Sequence, residues 1–160
     1  MGTLTARVIT VSDRVSRGEA EDRSGPAAVE TLSALGFTVD LVVVPDGVES
    51  VEGALREAVA MGLRLVVTTG GTGMAPRDVT PEATRRVIER EAPGLAEAMR
   101  AGTFGSNPHG MLSRGVSGIV GGTLIINLPG SVAGATESLE VVGPALAHAV
   151  ELLSDVPSPH

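Results

Sequence analysis

The stretch from Val66 to Glu82 concentrates the residues of this chain that can do chemistry. An apolar run ends in Thr68 and Thr69. A loop containing Gly70, Gly71, Thr72 and Gly73 follows, then Arg77-Asp78 and the helix start Thr80-Pro81-Glu82. Glycine permits positive φ and lets backbone N–H groups approach a ligand closely. Between a strand and a helix, such a loop suits an anionic group, most often a phosphate. A carboxylate beside it is a misfit for simple anion binding, and makes sense if a metal ion shares the site. The competing readings are a tight strand-to-helix turn, and an Asp78 that merely caps a helix starting near Val79. The loop is not a Walker A motif, because all twelve basic residues are arginine and no lysine is present. Nor is it a dinucleotide fingerprint, because Pro76 breaks the third glycine position.

Other candidates lie where further apolar runs end. Asp13 follows Thr10-Val11-Ser12. Asp46 sits in Pro45-Asp46-Gly47, which by itself is also a good turn signal. Pro129-Gly130-Ser131 follows the last apolar run. Arg14, Arg17, Arg23, Arg77 and Arg114 fall in loop regions and can form a local positive patch on an acidic protein. His109 stands in a loop where it could touch a substrate or simply be solvated. His148 reads as packing or surface, and His160 is terminal. No G-x-S-x-G elbow occurs, so serine-hydrolase chemistry has no support.

Alternating strands and helices must position these residues. Strands are predicted over 7–12, 37–44 and 63–69. A helix over 24–35 starts at Ser24 and stops at Gly36. An amphipathic helix spans 48–61 with Gly62 as its C′ residue. Helical stretches over 81–91 and 94–101 follow, separated by Pro93. Residues 101–114 read as a loop, and 116–120 and 123–128 as a hairpin about Gly121-Gly122. Ser131 caps a last helical region reaching Leu153, interrupted near Gly143-Pro144, with 154–160 as a frayed tail. This order predicts an α/β fold with a doubly wound, mostly parallel sheet, helices on both faces and an antiparallel hairpin element. In such sheets ligands bind outside the carboxyl ends of the strands. If the strands are parallel, Asp13, Asp46, the glycine loop with Asp78, and Pro129-Gly130-Ser131 converge on one edge.

Composition narrows the partners. The length of 160 residues suits one domain with a real core. Two phenylalanines and no tryptophan or tyrosine leave almost no base-stacking platform. The formal charge of -7 likewise argues against nonspecific binding to nucleic acid or anionic membrane. No apolar run approaches spanning length and the N-terminus lacks a signal-peptide layout, so a cytoplasmic protein is expected. The absence of cysteine removes disulfides, thiolate catalysis and cysteine-ligated metals.

The chain resembles the molybdopterin adenylyltransferase family, the MogA/MoaB type of molybdenum-cofactor biosynthesis. The matching segments are residues 10–13 (Thr-Val-Ser-Asp), 22–26 (Asp-Arg-Ser-Gly-Pro), 43–46 (Val-Val-Pro-Asp), 69–73 (Thr-Gly-Gly-Thr-Gly), 76–84 (Pro-Arg-Asp-Val-Thr-Pro-Glu-Ala-Thr), 111–114 (Met-Leu-Ser-Arg) and 126–130 (Ile-Asn-Leu-Pro-Gly). They cover nearly the whole chain in order, so a single domain is expected over 1–160. The resemblance implies a three-layer α/β/α domain that assembles as a homotrimer, or as a hexamer. It also implies Mg-ATP-dependent transfer of AMP to the terminal phosphate of molybdopterin, with release of pyrophosphate. Asp46 and Asp78 match the family's essential carboxylates and would hold Mg2+, directly or through water. Thr69, Gly70, Gly71, Thr72 and Gly73 match its nucleotide and phosphate loop. Ser12, Asp13, Ser113, Arg114, Pro129, Gly130 and Ser131 match pterin- or phosphate-facing positions. Ser131-Val132 departs from relatives that carry a polar residue and then proline there. A downstream molybdenum-insertion enzyme is an implied partner. The alternatives are a non-catalytic molybdopterin-binding module and a nucleotide pyrophosphatase on the same domain type. A side chain at Gly71 or Gly73 is expected to block ligand more than folding.

Overall fold

The computed structural model describes residues 3–154. The expected frayed tail therefore lies, except for Ser154, outside the described residues, as does His160. In chain order the elements are β1 (Thr5–Val11), α1 (Asp13–Ser16), α2 (Ser24–Ala34), β2 (Thr38–Val44), α3 (Val48–Ala60), β3 (Leu65–Thr69), α4 (Thr80–Arg85), β4 (Arg90–Glu91), α5 (Pro93–Phe104), β5 (Ser117–Val120), β6 (Thr123–Leu128) and α6 (Val132–Leu152). A 3-10 turn at Pro108–Leu112 lies between α5 and β5.

One six-stranded sheet runs in the order β2-β1-β3-β6-β5-β4. Its first four strands are parallel, and β5 and β4 are antiparallel additions. Side chains alternate along each strand, so the central strands feed two cores. Val8, Val67 and Ile126 pack with Leu32, Met99 and Leu139 under α2, α5 and α6. Ile9, Val66 and Ile125 pack with Val51, Leu55 and Ala83 under α3 and α4. The α/β/α layering, the parallel strands and the hairpin are as the sequence pattern predicts.

Three local expectations change. The helix predicted over 81–91 ends at Arg85, and Arg90–Glu91 becomes an edge strand on β5. The backbone N–H groups of Glu89 and Ala92 donate to the carbonyls of Ile119 and Ser117 at 2.8 and 2.9 Å. Covering the β5 edge satisfies those groups, and this pairing overrides local helix propensity. The 101–114 loop is partly ordered. The helix α5 continues to Phe104, where buried Thr103 bonds back to Met99, and Asn107 Oδ1 accepts from His109 N to start the 3-10 turn. Finally, α6 runs unbroken through Gly143-Pro144. Pro144 lies on the exposed face, while Leu139, Val142, Leu146 and Val150 stay buried along the other. Packing of that stripe outweighs the lost hydrogen bond, and the carbonyl freed at exposed Glu140 stands on the solvent side.

Candidate functional site

Strand register brings the predicted site residues to one edge. Val11 pairs with Val44, Thr10 with Thr69, and Thr69 with Leu128, so the four parallel strands end together. Ser12 and Asp13, then Asp46, then the glycine loop with Asp78, then Pro129-Gly130-Ser131 leave from these ends. Gly70 stands at the crossing. Its φ is +95°, its N–H donates to Leu128 O at 3.2 Å, and a Cβ there would strike the Val11 carbonyl.

The glycine loop has a definite polarity. Thr80, buried at the start of α4, donates its hydroxyl to Gly70 O and its N–H to Gly71 O, both at 3.0 Å. Arg114 takes the next carbonyls. Its N–H donates to Thr72 O at 2.8 Å, its Nε to Gly73 O at 2.8 Å and its Nη2 to Asp78 O at 2.6 Å. Glu82 holds the same guanidinium at 2.8 and 3.1 Å, and the Arg114 hydrogen bonds keep the Glu82 carboxyl below its ordinary range. The carbonyls of 70–73 are thus all engaged. The N–H groups of Gly71, Thr72 and Gly73 have no acceptor among the described residues. Successive unpaired amides in a loop that lines a cleft form a cradle for an anion.

Two carboxylates flank this cradle. A Cβ built on Gly71 would lie 3.4 Å from Asp46 Oδ1 and would collide with Thr80 Oγ1. One on Gly73 would lie 2.9 Å from Asp78 Oδ2. Asp78 does not cap α4, whose start has no side-chain cap. Its Oδ2 accepts from Ala75 N at 3.0 Å within the loop. Asp46 Oδ2 accepts from Asp13 N at 3.0 Å, and Asp46 N donates back to Asp13 Oδ1 at 3.1 Å. Arg77 grips Asp13 at 2.6 and 3.1 Å and also donates to Asp46 O at 3.0 Å. Chiefly through that hydrogen bond, Arg77 holds the Asp13 carboxyl below the usual carboxylate range. Asp46 and Asp78 each retain one carboxylate oxygen with no protein donor among the described residues.

Two clefts open on either side of the contact between Gly70 and Gly130. The larger, about 510 Å3, is lined by Gly70–Gly73, Asp78, Ser113 and Pro129–Ser131, with α5 and the 3-10 turn as its far wall. The smaller, about 380 Å3, is lined by Ser12, Thr69, Asp22 and Ser24, and shares Gly70, Gly130 and Ser131 with the first. Ser131 caps α6 through Gly134 N at 3.0 Å, so a 21-residue helix begins between the clefts. That places a partial positive charge there. Asp13, Asp46 and Arg114 line neither cleft. Arg114 braces Thr72, Gly73 and Asp78, which do, while Asp13 and Asp46 bond to each other and to Arg77. His109 reaches the rim of the larger cleft. Sequence reading passed over Arg100 and Glu137, which line the larger cleft from α5 and α6, and gave no role to Asp22 of the matching segment 22–26. Asp22 accepts from Thr10 Oγ1 at 2.8 Å and from Gly25 N at 3.0 Å at the start of α2. Nothing in local sequence marks Arg100, an arginine in an ordinary helix.

An α/β domain with an amide cradle, flanking carboxylates and two clefts at its strand ends is the class that fold and site define. The chain matches the family model described as a probable molybdopterin binding domain over residues 7–148, and it belongs to that family. It is 42% identical to the molybdopterin adenylyltransferase of Helicobacter pylori J99, covering 96% of this chain and 89% of that protein. It is 43% identical to gephyrin of Dictyostelium discoideum over 94% of its own length, but spans only 22% of that larger protein. The crystal structure of the molybdopterin biosynthesis enzyme MoaB from Thermus thermophilus superposes with a TM-score of 0.90 at 48% identity. That match covers 97% of this chain and 99% of the other.

Proposed function

We propose that this chain transfers AMP from ATP to the terminal phosphate of molybdopterin, releasing pyrophosphate. A phosphate oxygen of the pterin attacks the α-phosphorus of ATP, and the bond from that phosphorus to the bridging oxygen of the pyrophosphate breaks. Catalysis of such an in-line transfer is mainly positioning and charge neutralisation. The observation that carries the reading is the pair of clefts that share Gly70 and Gly130, beside the amide cradle. Two substrates can be seated separately there and still meet at one phosphorus. Relatives named molybdopterin adenylyltransferases, matched over 89% and 75% of their own lengths, support the same activity.

The oxygen donors fit a hard divalent cation. Among the described residues no group of three or more His, Asp or Glu gathers, so a cation would complete its shell with substrate phosphates and water, as Mg2+ does. Asp46 and Asp78 would hold it, directly or through water, and when bound it would neutralise charge on the departing pyrophosphate. The chain's own groups do the rest. The amides of Gly71, Thr72 and Gly73 bind phosphate oxygens, Arg114 and Thr80 keep those amides aligned, and Asp13 with Arg77 fixes Asp46. On the family resemblance the protein works in the cytoplasm as a homotrimer and passes its product to a molybdenum-insertion enzyme. Among the described residues no helix is long and apolar enough to cross a membrane. The direct test is pyrophosphate release from Mg-ATP. It should depend on added molybdopterin; release without the pterin would support a nucleotide pyrophosphatase instead.

A further inference from the structure

The larger cleft contains a permanent cation that the reaction described above leaves without a task. Arg100 lines it from α5 and is partly buried. Its Nη1 donates to Gly115 O at 2.7 Å and to Ser113 O at 3.4 Å, which fixes the plane of the guanidinium. Its Nε and Nη2 have no acceptor among the described residues, and it joins no ion pair there. Other arginines near the site are committed: Arg77 to Asp13 and Arg114 to Glu82 and the loop carbonyls. The other formal charges lining the larger cleft are the carboxylates Asp78 and Glu137. An anion entering between them needs a cation, and a guanidinium held on one nitrogen offers an oriented fork to a planar or tetrahedral oxyanion.

We propose that Arg100 binds the terminal phosphate of the pterin substrate from the α5 wall of the larger cleft. This assignment rests on the adenylyl-transfer reading. The acceptor phosphate is a dianion that must approach the polyphosphate of ATP. The amide cradle and the carboxylate-held cation serve the nucleotide side, which leaves Arg100 to offset the charge of the acceptor.

The test is a cycle that changes both the residue and the ligand. Pterin fluorescence titrations under anaerobic conditions compare molybdopterin with its enzymatically dephosphorylated form, on the wild-type protein, Arg100→Gln and Arg100→Lys. Removing the phosphate should weaken wild-type binding by about tenfold or more, as expected for a charge-assisted pair. The same removal should change Arg100→Gln binding by less than about twofold, with Arg100→Lys between them. The KM for ATP should stay within about twofold in both variants. A merely structural loss, from releasing the Ser113 and Gly115 carbonyls, would weaken both pterins equally. Equal losses of affinity on phosphate removal in wild-type and Arg100→Gln, or a raised KM for ATP with unchanged pterin affinity, would overturn the assignment. If the cycle behaves as expected but the wild-type protein forms no adenylated pterin, Arg100 keeps its phosphate and the transferase reading fails instead.

Discussion

Asp46 and Asp78 are separated in sequence but flank the same amide cradle, through Gly71 and Gly73. Asp→Ala at either should lower turnover at least a hundredfold, about 2.7 kcal/mol of transition-state stabilisation. Asp→Asn should fail almost as badly, because it keeps shape and removes charge. Melting temperature should hardly move, since loop carboxylates contribute modestly to stability. Near-normal turnover in both alanine variants would remove the metal-carboxylate mechanism. Asp13 carries a separate prediction. Its carboxyl is depressed mainly by the Arg77 hydrogen bond, so the pair stays intact above the unfolded carboxylate pKa. It is lost only as pH falls through the lower folded value. Arg77→Gln should therefore raise the Asp13 midpoint in a carboxyl-carbon NMR titration, and an unmoved midpoint would contradict the latch. The two glycines also part company. Gly73→Ala presses only on the Asp78 side chain, so it should impair nucleotide binding with a stable fold. Gly71→Val combines a φ of +69° with collision against buried Thr80. It should lose stability as well, which differs from the expectation that both positions would spare folding. Thermal melts beside ATP titrations separate the two.

At the scale of elements, what could be read from sequence was whatever is encoded locally. Apolar runs capped by Gly and Pro marked the parallel strands, and Gly121-Gly122 marked the hairpin; both stand where expected. What escaped was encoded by distant partners. Arg90–Glu91 looks helical until β5 offers it an edge, and Pro144 looks disruptive until the buried stripe of α6 is counted. Within the site, the placement of the glycine loop at the strand ends was legible because its glycines announce it. The polarity of the loop was not, because it depends on Arg114 and Thr80, whose roles appear only when the chain closes. The Arg7–Asp40 pair belongs to this scale. It ties β1 to edge strand β2 through bonds of 2.9 Å, with Arg7 buried and Asp40 half exposed. Asp40→Ala leaves that guanidinium poorly paired inside the protein. It should cost about 1–2 kcal/mol, reduced by the exposure of Asp40, with activity per folded molecule unchanged. Urea denaturation showing no shift in midpoint would mean the pair contributes nothing.

At the scale of the whole molecule, two cores pack the faces of one sheet, and the site is built from the loops at its strand ends with α5 and α6 as further walls. The surface still exposes large apolar side chains. Leu41 and Val43 stand on edge strand β2, and Phe104, Met111 and Leu112 stand near the larger cleft. Self-association would cover part of this surface, and light scattering at micromolar concentration should report a trimer; a monomer would contradict the proposed assembly. The central claim is tested most directly on the product. The protein is incubated anaerobically with molybdopterin and Mg-ATP, and the pterin fraction is weighed by mass spectrometry. The account predicts molybdopterin carrying one added AMP, formed with one pyrophosphate per molecule and absent when ATP is withheld. Pterin that binds the protein but returns unmodified in the presence of Mg-ATP would contradict it and leave a binding module.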